Sequence, residues 1–370
     1  MPHAAARNLA SGDTAALVSE LPKLIALGAR YDAAPTYPSD SLAVLSRIGL
    51  STRLAQIARS SDRLKGNLEL FEFLRLIGRA DLRVGRLFEG HANAVQLICW
   101  YGTEAQERDL IKALALGRYY GVWATEPPPG VTINLDASGA ILTGAKCFAS
   151  GAGGLDHAIV TARNEEGSQR MVIISANDRD RTDLSGWRVR GMRATVSGTY
   201  DLTGIRVSTH GHLGGVGDYE REPRFTSGAW RFLAVQLGGV EGLLVEMRDM
   251  MSEAARSDSL ARMQFADAVA STRTAYLWVR EASRRDAEEP DVASTFVRMA
   301  RGVVERSALT VMEIAARVIG TRSAFDGQRI DKIIRDLSLY LRQAAPDKAK
   351  DQAAQDFLQA DAWGGGDSLW

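Results

Sequence analysis

The hydrophobic period of this chain changes twice, and that change constrains the fold more than any other feature of the sequence. Over residues 39–116 apolar side chains recur every three or four positions, which is typical of amphipathic helices. Over residues 119–207 the period drops to two, which indicates strands that follow one another without intervening helices. Over residues 225–362 the helical period returns. The sequence therefore predicts helices, then a β region, then a second set of helices.

These three regions are expected to form separate domains. Because consecutive strands without helices between them favour antiparallel pairing, the middle region is expected to form an antiparallel barrel or sandwich rather than a parallel sheet. The predicted class is a multidomain α+β protein whose antiparallel β-barrel lies between an N-terminal helical domain and a C-terminal four-helix bundle. The predicted limits are residues 1–118 for the N-terminal domain, 119–212 for the β-barrel, 225–362 for the bundle and 363–370 for a flexible tail.

Local signals set several boundaries within these regions. Thr103 and Gln106 have the spacing of a capping box, which predicts the start of a helix. Apolar positions on both sides of residues 136–139 predict a β-hairpin with its turn there. A second strand pair is expected between residues 157–162 and 171–174.

Charge and cysteine content exclude several classes of function. The 45 basic side chains balance 45 acidic ones, so there is no electrostatic case for binding nucleic acid or an anionic membrane. Cys99 and Cys147 are the only cysteines, which excludes a disulfide framework and a four-cysteine zinc site. His210 and His212 lack a carboxylate at ligand spacing, so no metal site is expected. Without a signal-like start or a membrane-length apolar run, a cytoplasmic location is expected.

Five short motifs carry the functional signal, at residues 101–106, 123–127, 146–151, 190–195 and 335–336. The most informative are Trp-Ala-Thr-Glu-Pro at 123–127 and Lys-Cys-Phe-Ala-Ser-Gly at 146–151. In this order, between two helical regions, the five resemble motifs of the acyl-CoA dehydrogenase superfamily. That resemblance implies the fold of those flavoproteins, with FAD as the cofactor.

The resemblance places three residues against the flavin ring. Phe148 would contact the apolar end of the isoalloxazine, while Thr125 and Ser150 would donate hydrogen bonds to its polar edge. These residue types also suit a flavin on chemical grounds, because the ring needs an aromatic contact and donors near N1 and N5.

The resemblance also implies that the bundle holds the adenine half of FAD across a subunit interface. Arg256 and Gln264 occupy the corresponding helix positions, and Gly320 lies in the turn where relatives have a Gly-Gly-x-Gly sequence. Only that one glycine remains here. Arg322 is expected to compensate as a bidentate donor to the pyrophosphate. A homodimer or homotetramer is the implied assembly.

The family's catalytic base is not visible in the sequence. Dehydrogenation of an acyl thioester needs a carboxylate that takes the α proton. The family's glutamate position is occupied by Ala344, and residues 228–232, where other relatives carry the glutamate, also lack a carboxylate. Glu222, Glu241 and Asp347 are the nearest acids, although a surface or helix-face position explains each of them better.

Three functions therefore stay open. The main prediction is an FAD-dependent oxidoreductase that transfers hydride from an acyl thioester to flavin N5 and works with an electron-transfer partner. The alternative is a flavin-dependent monooxygenase or N-hydroxylase of the same fold, which takes another small molecule and relies on a flavin reductase. Such relatives carry a histidine on an early helix, so His91 joins Ser150 as a candidate catalytic residue. The second alternative is a relative that binds flavin or an acyl group without turnover.

Overall fold

The computed structural model describes residues 12–136, 139–343 and 345–359. The predicted tail at residues 363–370 and Ala344 lie outside the described residues. Six α-helices come first in the described chain: α1 (Gly12–Ala33), α2 (Ser39–Arg47), α3 (Leu50–Ala58), α4 (Arg63–Ala80), α5 (Leu82–Tyr101) and α6 (Glu104–Ala115).

Side-chain caps fix where the helices nearest the β region begin. The Thr103 side chain accepts from the backbone N–H of Gln106, whose own side chain accepts from the backbone N–H of Thr103. This confirms the predicted capping box at the start of α6. Asp81 separates α4 from α5 and accepts from the backbone N–H groups of Arg83 (2.8 Å) and Val84 (3.4 Å). The chain therefore turns sharply before α5, the most buried of these helices.

Ten short strands follow within the described residues: β1 (Tyr120–Trp123), β2 (Thr132–Asp136), β3 (Gly139–Thr143), β4 (Ala145–Ala149), β5 (His157–Arg163), β6 (Gln169–Ser175), β7 (Thr182–Asp183), β8 (Gly198–Asp201), β9 (Arg206–Val207) and β10 (His212–Leu213). Seven strands form one sheet in the order β10-β6-β5-β2-β3-β9, with β1 also paired to β5. The other three form a sheet in the order β4-β8-β7. The β2–β3 and β5–β6 pairs are antiparallel, as predicted, although turn residues 137–138 lie outside the described residues.

The prediction of an antiparallel barrel is wrong. β1 runs parallel to β5, with Tyr120 opposite His157 and Trp123 opposite Val160. The larger sheet is also open, because β9 and β10 are its edges and no described strand joins them. The prediction failed because it assumed that each strand pairs with the next. In fact β2, β3 and β4 lie between β1 and β5 in the chain and act as the crossover that a helix supplies in most parallel sheets.

Seven helices complete the described chain: α7 (Arg224–Ser227), α8 (Trp230–Met250), α9 (Glu253–Ser257), α10 (Ser259–Glu288), α11 (Pro290–Ile319), α12 (Arg329–Tyr340) and α13 (Pro346–Gln359). α8 packs against α10 and α11, and it also packs against α4 of the first helical region. Gly238 lies at that crossing, where a side chain would overlap the backbone of α4. Among the described helices, none is long and apolar enough to span a membrane.

A buried cluster of charges joins α1, the α4–α5 junction and α12. We call it the aspartate–cation cluster, and its members are Asp32, Asp81, Asp336, Arg83, Lys332 and Arg335. Arg83 lies 2.7 Å from Asp81, and Lys332 lies 2.9 Å from Asp336. Asp336 also accepts from the backbone N–H of Met192 at 2.5 Å. The cluster therefore holds the 190–195 motif against the 335–336 motif.

Candidate functional site

A buried lysine holds the two most informative motifs side by side. Lys146 on β4 donates to the Glu126 carboxylate (2.5 Å) and to the backbone oxygen of Ala124 (3.1 Å). Burial lowers the pKa of Lys146, and the bond to Glu126 opposes that shift. The backbone N–H of Cys147 also donates to the backbone oxygen of Thr125 at 3.0 Å. The loop after β1 is thus fixed against β4, and the Thr125 side chain is exposed there.

An irregularity in β4 turns Phe148 outward. Lys146 pairs with Tyr200 of β8 and Ala149 pairs with Gly198, so β4 contains one more residue than β8 between these pairs. Such a bulge redirects side chains and is common beside functional sites. Phe148 adopts a φ of 51°, and its side chain is 66% exposed. The bulge therefore presents an aromatic surface to a ligand rather than to the core.

Backbone strain is concentrated around this bulge. Within the described residues, four non-glycine residues have a positive φ, and three of them are Phe148, Met192 (56°) and Val196 (41°). A β-branched residue such as Val196 is a clear outlier in that region. Met192 and Val196 flank the 3₁₀ turn Arg193–Thr195, whose last carbonyl accepts from the Gly151 N–H at 2.7 Å. Strain of this kind is typical of functional sites, where the surrounding structure enforces it.

Three hydroxyls, which we call the hydroxyl row, run inward from the end of β4. The Ser150 Oγ lies 2.9 Å from the Ser197 Oγ, which lies 2.8 Å from the Thr195 Oγ1. The Thr195 hydroxyl donates to the backbone oxygen of Met192 at 2.8 Å. Each hydroxyl has one proton, and that of Thr195 is used in the bond to Met192. For the other two contacts to be hydrogen bonds, Ser197 must donate to Thr195 and Ser150 must donate to Ser197. In that arrangement Ser150 offers lone pairs to a ligand, whereas the family resemblance predicts that it donates.

A cavity of about 490 Å³ lies beside this region, between α5, residues 218–232, α11 and α13. Both its volume and its mixture of aromatic and polar walls suit a small organic molecule. Val122 of β1 lines the cavity. The next residue, Trp123, donates from its indole N–H to the backbone oxygen of Ser150 at 3.0 Å. β1 thus connects the cavity wall to the hydroxyl row.

A chain of polar contacts crosses the cavity wall from α5 to α8. Arg86, Glu89 and Asn93 lie on one face of α5, because their spacing matches the turns of a helix. The buried Glu89 carboxylate accepts from both Arg86 and Asn93. The Asn93 Oδ1 accepts from the Arg231 Nε at 2.5 Å. Burial lowers the pKa of Arg231.

The acids considered as catalytic bases already have partners or are exposed. Glu222 accepts from the backbone N–H of Thr226 at 3.1 Å and from its hydroxyl. Glu241 pairs with Arg75 at 2.6 Å, burial raises its pKa, and it lines a different groove. Asp347 is exposed on α13. Among the described residues, no group of three His, Cys, Asp or Glu side chains is placed to hold a metal ion.

His91 lies in the core rather than in the cavity wall. Its fully buried imidazole accepts at Nδ1 from the backbone N–H of Tyr120 (3.1 Å), and its ring centroid lies 4.6 Å from that of Tyr119. Within the described part of the chain, its Nε2 has no hydrogen-bond partner. Burial lowers the pKa of His91 to about 3. This position favours a structural histidine over the predicted catalytic one.

The structure brings Arg256 and Arg322 together at the C-terminal end of α8. Both guanidiniums donate to backbone oxygens there, at 3.1 Å and 2.9 Å respectively. These bonds satisfy carbonyls that a helix end leaves unpaired. Gly320 forms an exposed turn with a φ of 68°, and Gln264 is half-buried on α10. The two arginines predicted to hold the adenine half of FAD, Arg322 through its pyrophosphate, thus have structural partners in the single chain.

Comparison with known proteins identifies the fold. No protein-family profile matches the chain, and no curated protein sequence matches it either. Solved structures do match it. The chain has the fold of the acyl-CoA dehydrogenase superfamily, and its structural neighbours are flavin-dependent monooxygenases of that fold.

Three of these neighbours illustrate the similarity. FMN-bound TdsC from Paenibacillus sp. A11-2, a dibenzothiophene monooxygenase, has a TM-score of 0.82 and 20% identity, over 94% of this chain and 97% of its own. The methanesulfinate monooxygenase MsuC from Pseudomonas fluorescens has a TM-score of 0.80 and 18% identity, over 95% and 97%. The 3-HSA hydroxylase from Rhodococcus sp. RHA1 has a TM-score of 0.78 and 16% identity, over 94% and 97%. The similarity therefore concerns the fold of nearly the whole chain.

Sequence analysis overlooked two residues of this region. Ser197 follows the 190–195 motif by two positions, so the motif's continuation could have suggested its hydroxyl. Arg231 lies within residues 228–232, for which the family resemblance predicts only a carboxylate. No periodicity or spacing in the sequence indicates that Arg231 lines the same cavity as α5.

Proposed function

We propose that this protein is a flavin-dependent monooxygenase that binds FMN and inserts one oxygen atom of dioxygen into a small organic molecule. The observation that carries this proposal is the strained, exposed Phe148 beside the hydroxyl row. That arrangement lies in a fold whose solved neighbours include FMN-bound TdsC. The same neighbours favour a monooxygenase over the acyl-CoA dehydrogenase that the motifs first predicted.

The residues of the β4 region fit a flavin ring. Phe148 would contact the ring, the exposed Thr125 hydroxyl would act as a donor, and Ser150 would act as an acceptor. Because N5 carries a proton only in the reduced flavin, an acceptor at Ser150 favours the reduced cofactor. Reduced flavin, when bound, supplies the electrons that activate dioxygen. The role of the chain is then to bind the reduced form and to hold the substrate nearby.

Acyl-thioester dehydrogenation is less well supported. That reaction needs a carboxylate free to take a proton from the substrate. The three acids that line the cavity, Glu89, Asp218 and Glu222, each accept hydrogen bonds from neighbouring groups. A reductase, rather than the substrate, is therefore the proposed source of electrons.

FMN is proposed in place of the predicted FAD. Arg256 and Arg322 already donate to the end of α8, and the turn at Gly320 keeps a single glycine. FMN lacks the adenine half of FAD, so its binding does not depend on these residues. The homodimer or homotetramer is retained as a proposal from the family resemblance, and the domain limits and the cytoplasmic location are retained as proposals from the sequence.

Identifying which compound reduces the flavin tests this proposal. Protein loaded with oxidised flavin is titrated anaerobically with a panel of acyl-CoA thioesters, and its absorbance is expected to stay unchanged. When NADH, a flavin reductase and ¹⁸O-labelled dioxygen are then added with a panel of aromatic and organosulfur compounds, one labelled oxygen atom is expected in the product. Bleaching by a thioester would instead support the dehydrogenase. Stable flavin binding without any product would support the non-catalytic relative.

A further inference from the structure

The charged side chains that line the cavity are mostly cationic. Three acids line it, Glu89, Asp218 and Glu222. Against these stand six cations: Arg86, Arg224, Arg231, Arg298, Arg301 and Lys348. The whole chain, by contrast, has equal numbers of basic and acidic side chains. The excess of positive charge is therefore a property of this cavity.

The acids offset only part of this excess, because three acids face six cations and Asp218 is paired with a cation outside the lining. Asp218 pairs with Arg221, which does not line the cavity. Glu222 accepts from Thr226. Only Glu89 pairs with a cation of the lining, and that cation is Arg86. Arg298 also has a carboxylate partner outside the lining, Asp356 at 3.2 Å. The positive charge that remains for a ligand is therefore carried chiefly by Arg224 and Arg231, which form no ion pair among the described residues.

Arg231 is the most deeply buried of these cations. It is 6% exposed and lines the cavity where α8 begins. Its Nε donates to the uncharged Asn93, and among the described residues it forms no ion pair. Asp286 and Glu89 favour its charged form from beyond ion-pair distance, but burial still lowers the pKa of Arg231, so an anion in the cavity would reduce the cost of burying this guanidinium. Its planar array of N–H donors also matches a carboxylate or sulfonate group.

Apolar side chains complete the lining. Leu97 and Trp100 of α5, Phe232 of α8 and Val297 of α11 all contribute to it. Resting on the proposed monooxygenase function, we propose that the substrate is an organic acid, with an apolar body and one carboxylate, sulfonate or sulfinate group. Arg231 binds the anionic group, and the apolar side chains contact the body.

Paired probes of equal shape test this inference. The panel consists of benzoate, indole-3-acetate and naphthalene-2-carboxylate, each with its neutral carboxamide, and binding to the full chain is measured by calorimetry with and without FMN. At least one acid is expected to bind about tenfold more tightly than its amide. Arg231→Gln is expected to remove that preference by weakening the acid and leaving the amide within about twofold. Arg231→Lys should keep part of it, because the charge remains.

Arg317→Gln is the matched control, since Arg317 is an exposed arginine of α11 that pairs with Glu313 and does not line the cavity. If no acid binds more tightly than its amide, or if the preference survives in Arg231→Gln, the inference is overturned. The wild-type comparison decides the matter even if Arg231→Gln does not fold. FMN binding is scored separately, so wild-type protein that binds FMN normally but shows no preference for any acid rejects this inference alone. Absence of FMN binding rejects the proposed function instead.

Discussion

At the scale of single residues, the direction of three hydrogen bonds determines what Ser150 offers to a flavin. The carbonyl of Met192 can only accept, so the protons of the hydroxyl row all point inward from Ser150. An alcohol at this position would otherwise donate or accept with equal ease. Ser197 and Thr195 thus act as positioning residues that make Ser150 an acceptor.

This account predicts a change in redox properties when Ser197 is replaced. In Ser197→Ala the Ser150 hydroxyl loses its acceptor, so its proton becomes available to the flavin and the preference for reduced FMN weakens. One hydrogen bond of about 1 kcal/mol corresponds to a midpoint potential about 20 mV more negative. Spectroelectrochemical titration of bound FMN measures this shift. Ser175→Ala, which removes an exposed hydroxyl bonded to Asn177, should leave the potential unchanged, and an unchanged potential in Ser197→Ala would contradict the assigned direction.

At the scale of elements, the contact between α5 and β1 depends on an uncharged histidine. The imidazole of His91 accepts from the β1 backbone in a fully buried position, where burial lowers its pKa to about 3. An unfolded chain protonates the same group at a pKa of about 6.5. Between these two pKa values the unfolded chain therefore binds a proton that the folded protein does not. The free energy of unfolding consequently decreases as the pH falls through this range.

The sign of this effect gives a measurable pH dependence. As the pH falls from 6.5, His91 should lower the free energy of unfolding by up to about 1.4 kcal/mol per pH unit. His91→Asn retains an acceptor for the Tyr120 N–H but does not titrate, so its stability should fall less steeply. Urea unfolding of both proteins at several values between pH 7 and pH 5 measures the difference. Parallel curves would mean that His91 takes up its proton over the same pH range in the folded protein as in the unfolded chain, which would contradict the lowered pKa.

Some of these elements could be predicted from the sequence, and others could not. The capping box at Thr103 and the β5–β6 pairing follow from local pattern, because they depend on residues close in the chain. The parallel pairing of β1 with β5 could not be predicted from period alone, since a period of two does not specify strand direction. The bulge at Phe148 also has no sequence signal. It depends on the register between β4 and β8, which the surrounding loops determine.

At the scale of the whole molecule, the aspartate–cation cluster connects the helical regions to the candidate site. Burial alone would raise the pKa of Asp81, but Arg83 and Lys332 hold it well below its ordinary range. The carboxylate therefore stabilises the fold above its unfolded pKa of about 3.9, and this stabilisation is lost as the pH falls further. Through Asp336 the cluster also fixes the strained segment at Met192.

Removing one charge from the cluster should be costly. Asp336→Asn keeps an acceptor for Met192 but leaves Lys332 and Arg83 with excess buried positive charge, so a loss of about 3 kcal/mol in the free energy of unfolding is expected. Chemical unfolding at neutral pH measures it. Asp351→Asn, an exposed change on α13, is the control and should have little effect. A similar small effect for Asp336→Asn would show that the cluster contributes little to stability.

The candidate site could be predicted only in part. Thr125 and Phe148 were predicted from motifs that each lie in one short segment, and the bonds of Lys146 explain why those segments meet. The cavity could not be predicted, because its walls come from helices more than two hundred residues apart in the chain. For the same reason, the sequence does not show that Arg231 lines a cavity, because that position results from the packing of α5, α8 and α11.

The central claim is that a flavin ring binds against Phe148, and FMN titration tests it most directly. Wild-type protein is expected to bind FMN and quench its fluorescence, while Phe148→Ala should bind about tenfold more weakly because the aromatic contact is lost. Phe325→Ala removes another exposed phenylalanine, in the segment after α11, and should bind FMN as the wild type does. Equal affinity of wild type and Phe148→Ala, or no binding by the wild type, would contradict the account.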